Sequence, residues 1–172
     1  MKLTLPFLFS DENRKADLIR NKQFSVSATG ETYRTINFWE SSGLIDNNRE
    51  ESSEWRKFTF LDIVWIKVIK ELTDFGYPIK KTQIVKENLC HSVEGEISLL
   101  EEYLYSFQLK SYKVIIVHND GTVELNFPAK ITSTTGKSYL CINVYAHLMD
   151  FITKDFKNFG VIKLSPRTNK AK

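Results

Sequence analysis

The stretch from residue 30 to residue 45 constrains the fold of this chain more than any other. It begins with a glycine suited to a turn and carries a second glycine, Gly43, where a helix would stop. Apolar residues recur between the two glycines at helical spacing, which predicts a short amphipathic helix. Thr32 is placed to cap that helix by accepting from the backbone N–H groups of its first turn. The apolar stripe consists of Tyr33, Ile36, Trp39 and Leu44.

The opposite face of this helix carries a mixture of groups that is unusual for a merely solvated surface. It combines a fixed cation, an amide, hydroxyls and one exposed aromatic ring. Such groups hold phosphates and read base edges in the major groove. The residues of this face are Arg34, Thr35, Asn37, Phe38 and Ser41. A short surface helix without a ligand is the alternative, and both interpretations are open for this stretch taken alone.

Composition places the chain among globular proteins with one large domain or two small ones. Of its 172 residues, 42% are hydrophobic and 26% are charged, which is enough apolar material for a core. The net charge of +3 permits contact with nucleic acid without requiring it. Two cysteines cannot build a disulfide framework, and no apolar run is long enough to cross a membrane. We therefore expect a cytoplasmic protein.

The residues on either side of the opening stretch predict a helix-turn-helix followed by a wing. A short helix over 22–28 precedes the glycine turn and completes the helix-turn-helix pattern. A polar loop follows Gly43 and leads to the run WRKF at 55–58, where bulky rings alternate with cations. This pattern predicts a β-hairpin wing over 46–58. Trp55 is expected to anchor the wing, while Arg56 and Lys57 project from it.

Two further helices are predicted after the wing. Thr59 caps a strongly amphipathic helix, and Asp62 is placed to complete a capping box. A glycine and a proline in the run GYP at 76–78 end that helix. A shorter helix over 79–89 follows, with Ile84 and Val85 facing inward.

The second half of the chain predicts a small α+β unit. A helix over 94–109, with Glu101 and Glu102 on its wet side, precedes two strands joined by the turn at 119–121. A third strand over 138–145 and a last helix over 146–159 follow. The expected organisation is α+β: an N-terminal arm at 1–20, a winged helix-turn-helix domain at 21–90, an α+β unit with a three-stranded antiparallel sheet at 91–163, and a disordered tail at 164–172.

Residues 21–89 resemble the winged-helix DNA-binding domain of MerR-type transcription regulators. The recognition helix of that family typically reads VRTIRYYE, followed by a glycine and two aliphatic residues. Here residues 33–40 read YRTINFWE, and Gly43-Leu44-Ile45 follow. The other landmarks are Arg49 at the start of the wing, WRKF at 55–58 at its end, DI at 62–63, and Leu72 with GYPI at 76–79. The resemblance covers roughly the first half of the chain.

The resemblance implies that the helix over 33–41 enters the major groove of double-stranded DNA while the wing grips phosphates. Arg34 would contact a base or a phosphate, and Arg56 would clamp a phosphate of the backbone. Asn37 stands where the family usually has arginine, and its amide could pair with adenine. Removing Arg34 should then relax specificity, whereas removing Arg56 should weaken binding to all sequences alike. The expected DNA-binding residues are Thr32, Arg34, Thr35, Asn37, Phe38, Arg49, Arg56 and Lys57.

The resemblance also bears on partners. MerR-type regulators usually dimerise through a long helix directly after the domain, so we expect a homodimer, although the helix over 94–109 is short. Three outputs stay open: a transcription regulator, a DNA-bending accessory factor for recombination or packaging on a mobile element, and a ligand- or protein-interaction module with a vestigial DNA-binding fold.

Other residue types with possible chemistry favour no catalytic or metal site. Cys90, His91, His118, Cys141 and His147 lack the spacing of metal ligands, and we expect the cysteines to be buried. We therefore expect no enzyme, no metal and no cofactor. A small-molecule effector remains possible, because several aromatic residues crowd the boundary between the two halves. These residues are Tyr103, Tyr105, Phe107 and Tyr112.

Overall fold

The computed structural model describes residues 19–47, 55–92, 97–108, 112–133 and 138–158, with residues 107–108, 132–133 and 152–158 as backbone only. Over these ranges the chain forms helices and an antiparallel sheet, which confirms the α+β class. Most of the predicted arm, Arg49 in the wing and the tail at 164–172 lie outside them. The elements in chain order are α1 (Val26–Thr29), α2 (Tyr33–Ser41), α3 (Phe60–Asp74), α4 (Ile79–Cys90), α5 (Leu99–Gln108), β1 (Val114–His118), β2 (Val123–Asn126), a 3₁₀ helix (Pro128–Ser133), β3 (Tyr139–Ile142) and α6 (Tyr145–Asn158).

Helix α2 forms where its local sequence predicts it. The side-chain oxygen of Thr32 accepts from the backbone N–H of Thr35 at 3.1 Å, which confirms the predicted cap. At the other end Gly43 adopts a φ of +72°, and the N–H of Leu44 reaches back to the carbonyl of Trp39 at 2.8 Å. This is the Schellman arrangement, which requires a left-handed residue at that position. Both ends of α2 are therefore set by residues within the helix or directly beside it.

The apolar stripe of α2 is narrower than the sequence predicts. Ile36 and Trp39 are buried, and Leu44 is buried just beyond the helix. The assignment of Tyr33 to the stripe is wrong, because 53% of this residue is exposed. Tyr33 is the first residue of α2, directly after the exposed cap residue Thr32.

Helix α1 has only four residues, so the prediction of a helix over 22–28 is wrong at its start. The preceding residues instead pair with Phe58, at the end of the predicted wing. The N–H groups of Gln23 and Phe24 both donate to the carbonyl of Phe58 at 3.0 Å, and the N–H of Phe58 returns to Phe24 at 2.7 Å. This bridge extends the backbone before α1 and places both phenylalanine rings in the core.

The predicted anchor of the wing is also wrong. Trp55 is 82% exposed, whereas Phe58 is buried and takes the anchoring place. An alternating strand puts every second side chain on the same face, so a shift of the pairing by one residue exchanges the two faces. Residues 48–54, which form most of the predicted hairpin wing, lie outside the described residues.

Helix α3 forms the centre of the core. Thr59 and Asp62 make the predicted capping box, with bonds of 3.0 Å and 2.8 Å between each side chain and the other's backbone N–H. The inward positions of α3 are fully or almost fully buried. They are Phe60, Ile63, Val64, Trp65, Ile66, Val68, Ile69 and Leu72.

The C-terminal half forms the predicted antiparallel sheet, in the order β2-β1-β3. Its central strand β1 is buried over Val114–Val117, and Gly121 turns the chain towards β2 with a φ of +89°. Helix α6 packs back onto the first half, because the ring of Phe151 lies 5.2 Å from Phe24 and 5.8 Å from Phe60. The domain boundary at 90–91 stays a prediction, but the apolar residues on its two sides share one core.

Three residues of the later elements differ from expectation. Ile84 was expected to face inward, but it is 44% exposed and lies beside the β1–β2 turn at Gly121. Glu101 was expected on the wet side, but it is buried with the Arg20 guanidinium on its carboxylate at 2.9 Å. Cys141 was expected to be buried, yet it is exposed on β3. Within the described ranges, no helix is both long and apolar enough to cross a membrane.

Candidate nucleic-acid interface

The outer face of α2 presents polar and aromatic side chains to solvent. Arg34, Asn37 and Ser41 follow one another at three- and four-residue steps, so they line one side of the helix. The Phe38 ring stands beside them and is 51% exposed, as the sequence predicts. Thr35 is half-buried, and its hydroxyl lies 2.8 Å from that of Thr32. The two threonines therefore belong to the cap as well as to this face.

Arg34 is the available cation of this face. Its residue is exposed, and among the residues that the structure describes no hydrogen bond or ion pair engages its guanidinium. A guanidinium offers five N–H donors in a planar fork that matches two acceptors at once. Arg34 can therefore take up a phosphate or the acceptor edge of a base without first breaking another contact.

Arg56, in contrast, does not project as predicted. Its guanidinium forms an ion pair with the carboxylate of Glu40 and donates a hydrogen bond to the Asn37 amide oxygen at 3.0 Å. The side chain of Arg56 is only 10% exposed, and that of Glu40 only 15%. The end of the predicted wing is therefore fastened to the outer part of α2 by a charged side chain. Sequence reasoning missed Glu40 because nothing in the local pattern indicates a partner sixteen residues away.

Of the other wing residues, Lys57 is exposed beside Arg56, and Trp55 is almost fully exposed next to it. The segment that carries these side chains is held by the Phe24–Phe58 bridge. A cation and a ring therefore stand near the end of the wing, on the chain that leads from α2 into α3. Arg49 is outside the described residues.

Four side chains from the longer helices bind backbone carbonyls in the segments just before and just after α2. The ammonium of Lys67 donates to the carbonyl of Thr29 at 2.6 Å, which satisfies the end of α1 just before the turn. The remaining three act on the exit. The contacts are Gln83 to Ser42 at 2.7 Å, Lys86 to Gly43 at 3.1 Å and the Trp65 indole to Leu44 at 2.7 Å, each to the backbone carbonyl. The chain is therefore held on both sides of α2, which favours a fixed orientation of its outer face.

Side chains that could have formed a metal site are dispersed. Among the described residues, no three His, Cys, Asp or Glu side chains come together in a way that could hold a metal ion. His118 pairs with Glu124 on the sheet, and His147 pairs with Glu71 on α3. Burial raises the pKa of the Cys90 thiol to about 12, so very little of the reactive thiolate is present at neutral pH.

Two of the aromatic residues considered for an effector site, Tyr103 and Tyr112, are used in packing. Tyr103 is fully buried in the core, and burial raises the pKa of its hydroxyl. The ring of Tyr112 contacts that of Tyr145 edge-on at 5.4 Å. The side chain of Phe107 lies outside the described side chains. These contacts give no support to an effector pocket at this position.

Comparison with known protein families identifies the first half of the chain. Residues 26–89 match the model of the MerR HTH family regulatory protein. This range runs from the start of α1 almost to the end of α4, so the first half contains a MerR-type helix-turn-helix domain, which indicates DNA binding and transcription regulation. No curated protein and no solved structure matches the chain significantly.

Proposed function

We propose that this protein is a sequence-specific regulator of transcription that places α2 in the major groove of double-stranded DNA. The observation that carries the proposal is the outer face of α2. It presents an uncommitted arginine, an amide and an exposed ring, on a helix whose flanking segments are held by α3 and α4, within a MerR-type domain.

The dimensions of α2 suit this role. Nine helical residues extend over about 14 Å, close to the ~12 Å width of the major groove. Arg34 lies in the first turn of α2, and Asn37 and Phe38 follow in the next. We assign base contacts to Arg34 and Asn37. Phe38 can pack against a thymine methyl or the sugar edge, since its ring is already exposed.

Phosphate contacts are assigned to groups around the helix rather than on its central face. Lys57 is an exposed cation near the end of the wing, and Thr32 and Thr35 offer hydroxyls at the start of α2. Arg49 belongs to the same proposed set on the basis of its place in the wing sequence. Arg56 is assigned a supporting role, because Glu40 already neutralises its charge.

The proposal includes a homodimer on a two-fold-related site, as expected from the resemblance. Helix α5 is not a candidate for the long dimerisation helix of that family. It has ten residues, which is about 15 Å, and its apolar positions Leu100, Tyr103 and Leu104 are buried in the core of the same chain. A dimer of this protein would therefore form through another surface.

Selection of bound duplexes from a random pool tests the proposal. We expect enrichment of a defined, two-fold-symmetric sequence, bound about a thousandfold or more tightly than random DNA at the same salt concentration. The logarithm of affinity should fall with the logarithm of salt concentration by about 0.9 for each phosphate neutralised.

Two further results would redirect or overturn the proposal. A strong bend in the selected duplex, with no change in promoter activity, would favour the DNA-bending accessory factor. No detectable binding to any duplex, even at about 50 mM salt, would overturn the proposal and favour the interaction module.

A further inference from the structure

We propose that Arg56 fixes the side-chain amide of Asn37 as a hydrogen-bond donor towards DNA and so makes this position prefer guanine over adenine. The inference rests on the proposed function, because it specifies what one residue of α2 reads. Arg56 would then be a positioning residue for specificity rather than a phosphate clamp.

The orientation of the amide follows from the chemistry of its neighbour. An asparagine side chain has an oxygen that accepts and a nitrogen that donates, and the two differ little in shape. A guanidinium has only donors, so the amide atom that faces it must be the oxygen. Arg56 Nη1 lies 3.0 Å from Asn37 Oδ1. The Nδ2 group of Asn37 therefore occupies the other side of the amide.

The contact is held by more than one hydrogen bond. Glu40 lies three residues after Asn37 on the same helix and binds the other terminal nitrogen of Arg56. Both charged side chains are largely buried, which strengthens their attraction compared with an exposed pair. The backbone near Arg56 is fixed by the bridge between Phe24 and Phe58. To turn its amide around, Asn37 would have to place its two N–H donors against the donors of Arg56.

The fixed orientation decides which bases Asn37 can serve. In the major groove guanine presents two acceptors, O6 and N7, whereas adenine presents an acceptor at N7 and a donor at N6. The usual pairing of asparagine with adenine uses the amide oxygen and nitrogen together. Here Arg56 holds the oxygen on its own side and uses one of its two lone pairs, so Nδ2 is the group left to meet a base edge, and guanine becomes the better partner. On this inference Asn37 prefers guanine, rather than the adenine that the resemblance suggests for its amide.

The test compares duplexes that differ only at the base read by Asn37. That base is located as the position where Asn37→Ala loses its preference. Arg56→Met keeps the length and apolar stem of the side chain but removes every donor. Lys57→Met is the matched control, because it removes one positive charge from the neighbouring residue, which is exposed.

In the wild type we expect guanine to be favoured over adenine at that position. Arg56→Met should lower the ratio of guanine to adenine affinity by about tenfold, because the released amide can turn and pair with adenine. Lys57→Met should weaken both duplexes alike and leave the ratio within about twofold.

Asn37→Asp gives a second measurement that does not depend on the folding of the Arg56 variant, because Asn37 lies on the surface. An aspartate keeps the acceptor for Arg56 but has no donor, so it should lose the guanine preference and favour cytosine, whose N4 donates.

Three outcomes would overturn the inference: adenine preferred by the wild type, an unchanged ratio in a folded Arg56→Met variant, or a guanine preference that survives in Asn37→Asp. Failure of the wild type to bind any duplex is a different result, since it overturns the proposed function itself.

Discussion

The hydrogen bond between Trp65 and the exit of α2 gives a prediction about how the end of this helix is held. The indole nitrogen of Trp65 donates to the carbonyl of Leu44 at 2.7 Å, and both residues are buried. Trp65→Phe removes this donor and leaves the carbonyl inside the core without it. An unsatisfied buried polar group costs about 1–3 kcal/mol, and the smaller ring adds a void that moves the cost towards the upper end.

Thermal unfolding followed by far-UV circular dichroism measures this cost. For a chain of this size each kcal/mol shifts the melting temperature by about 2–4 °C, so Trp65→Phe should lower it by roughly 3–10 °C. Trp55→Phe is the matched control, because the same change is made at a residue that is 82% exposed. Its effect should stay within about 0.5 kcal/mol. Equal melting temperatures for the two variants would refute the role given to Trp65.

Three further predictions concern other parts of the chain. Gly43→Ala should lower the free energy of unfolding by about 1–2 kcal/mol in urea titrations, because an L residue is strained at a φ of +72°. For Glu101, burial raises the carboxyl pKa, but the bonds from Arg20 and from the preceding turn outweigh burial and lower it below 4.5. Its contribution to stability is therefore present above that ordinary pKa and lost as pH falls through the lowered one, so Glu101→Gln should destabilise the protein at pH 7 and flatten the acid limb of its unfolding curve. In the folded protein a thiol reagent should modify exposed Cys141 rapidly and Cys90 only slowly, as mass analysis of the labelled peptides can show.

Features set by neighbouring residues could be predicted from the sequence. The Thr32 cap, the stop at Gly43 and the capping box of Thr59 with Asp62 each involve residues at most five positions apart. The hydrogen bonds of such motifs close within the segment itself, so the rest of the fold changes them little. The MerR-type domain was predictable for a related reason, because its landmarks are local motifs in a fixed order.

Features that join distant residues could not be predicted in the same way. From the sequence alone Arg56 is expected to project from the wing as a free cation. In the folded chain it pairs with Glu40. From the sequence alone Glu101 is expected to be a solvated carboxylate. In the folded chain it binds Arg20, which lies 81 residues earlier. In the segment 55–58 both faces carry an aromatic ring, so periodicity gives no reason to choose Phe58 over Trp55 as the buried one. These choices depend on tertiary packing, which a single sequence does not display.

We propose that the outer face of α2 reads DNA through Arg34. The most direct test is the affinity of Arg34→Ala for the duplex selected by the wild type and for random DNA, measured at one salt concentration. Lys113→Ala is the control, because its ammonium is already paired with Glu102 beside the sheet. We expect Arg34→Ala to lose about 1–3 kcal/mol on the selected duplex and much less on random DNA, with the control near the wild type on both. Equal losses on the two DNAs, or no loss on either, would show that Arg34 does not read the base sequence.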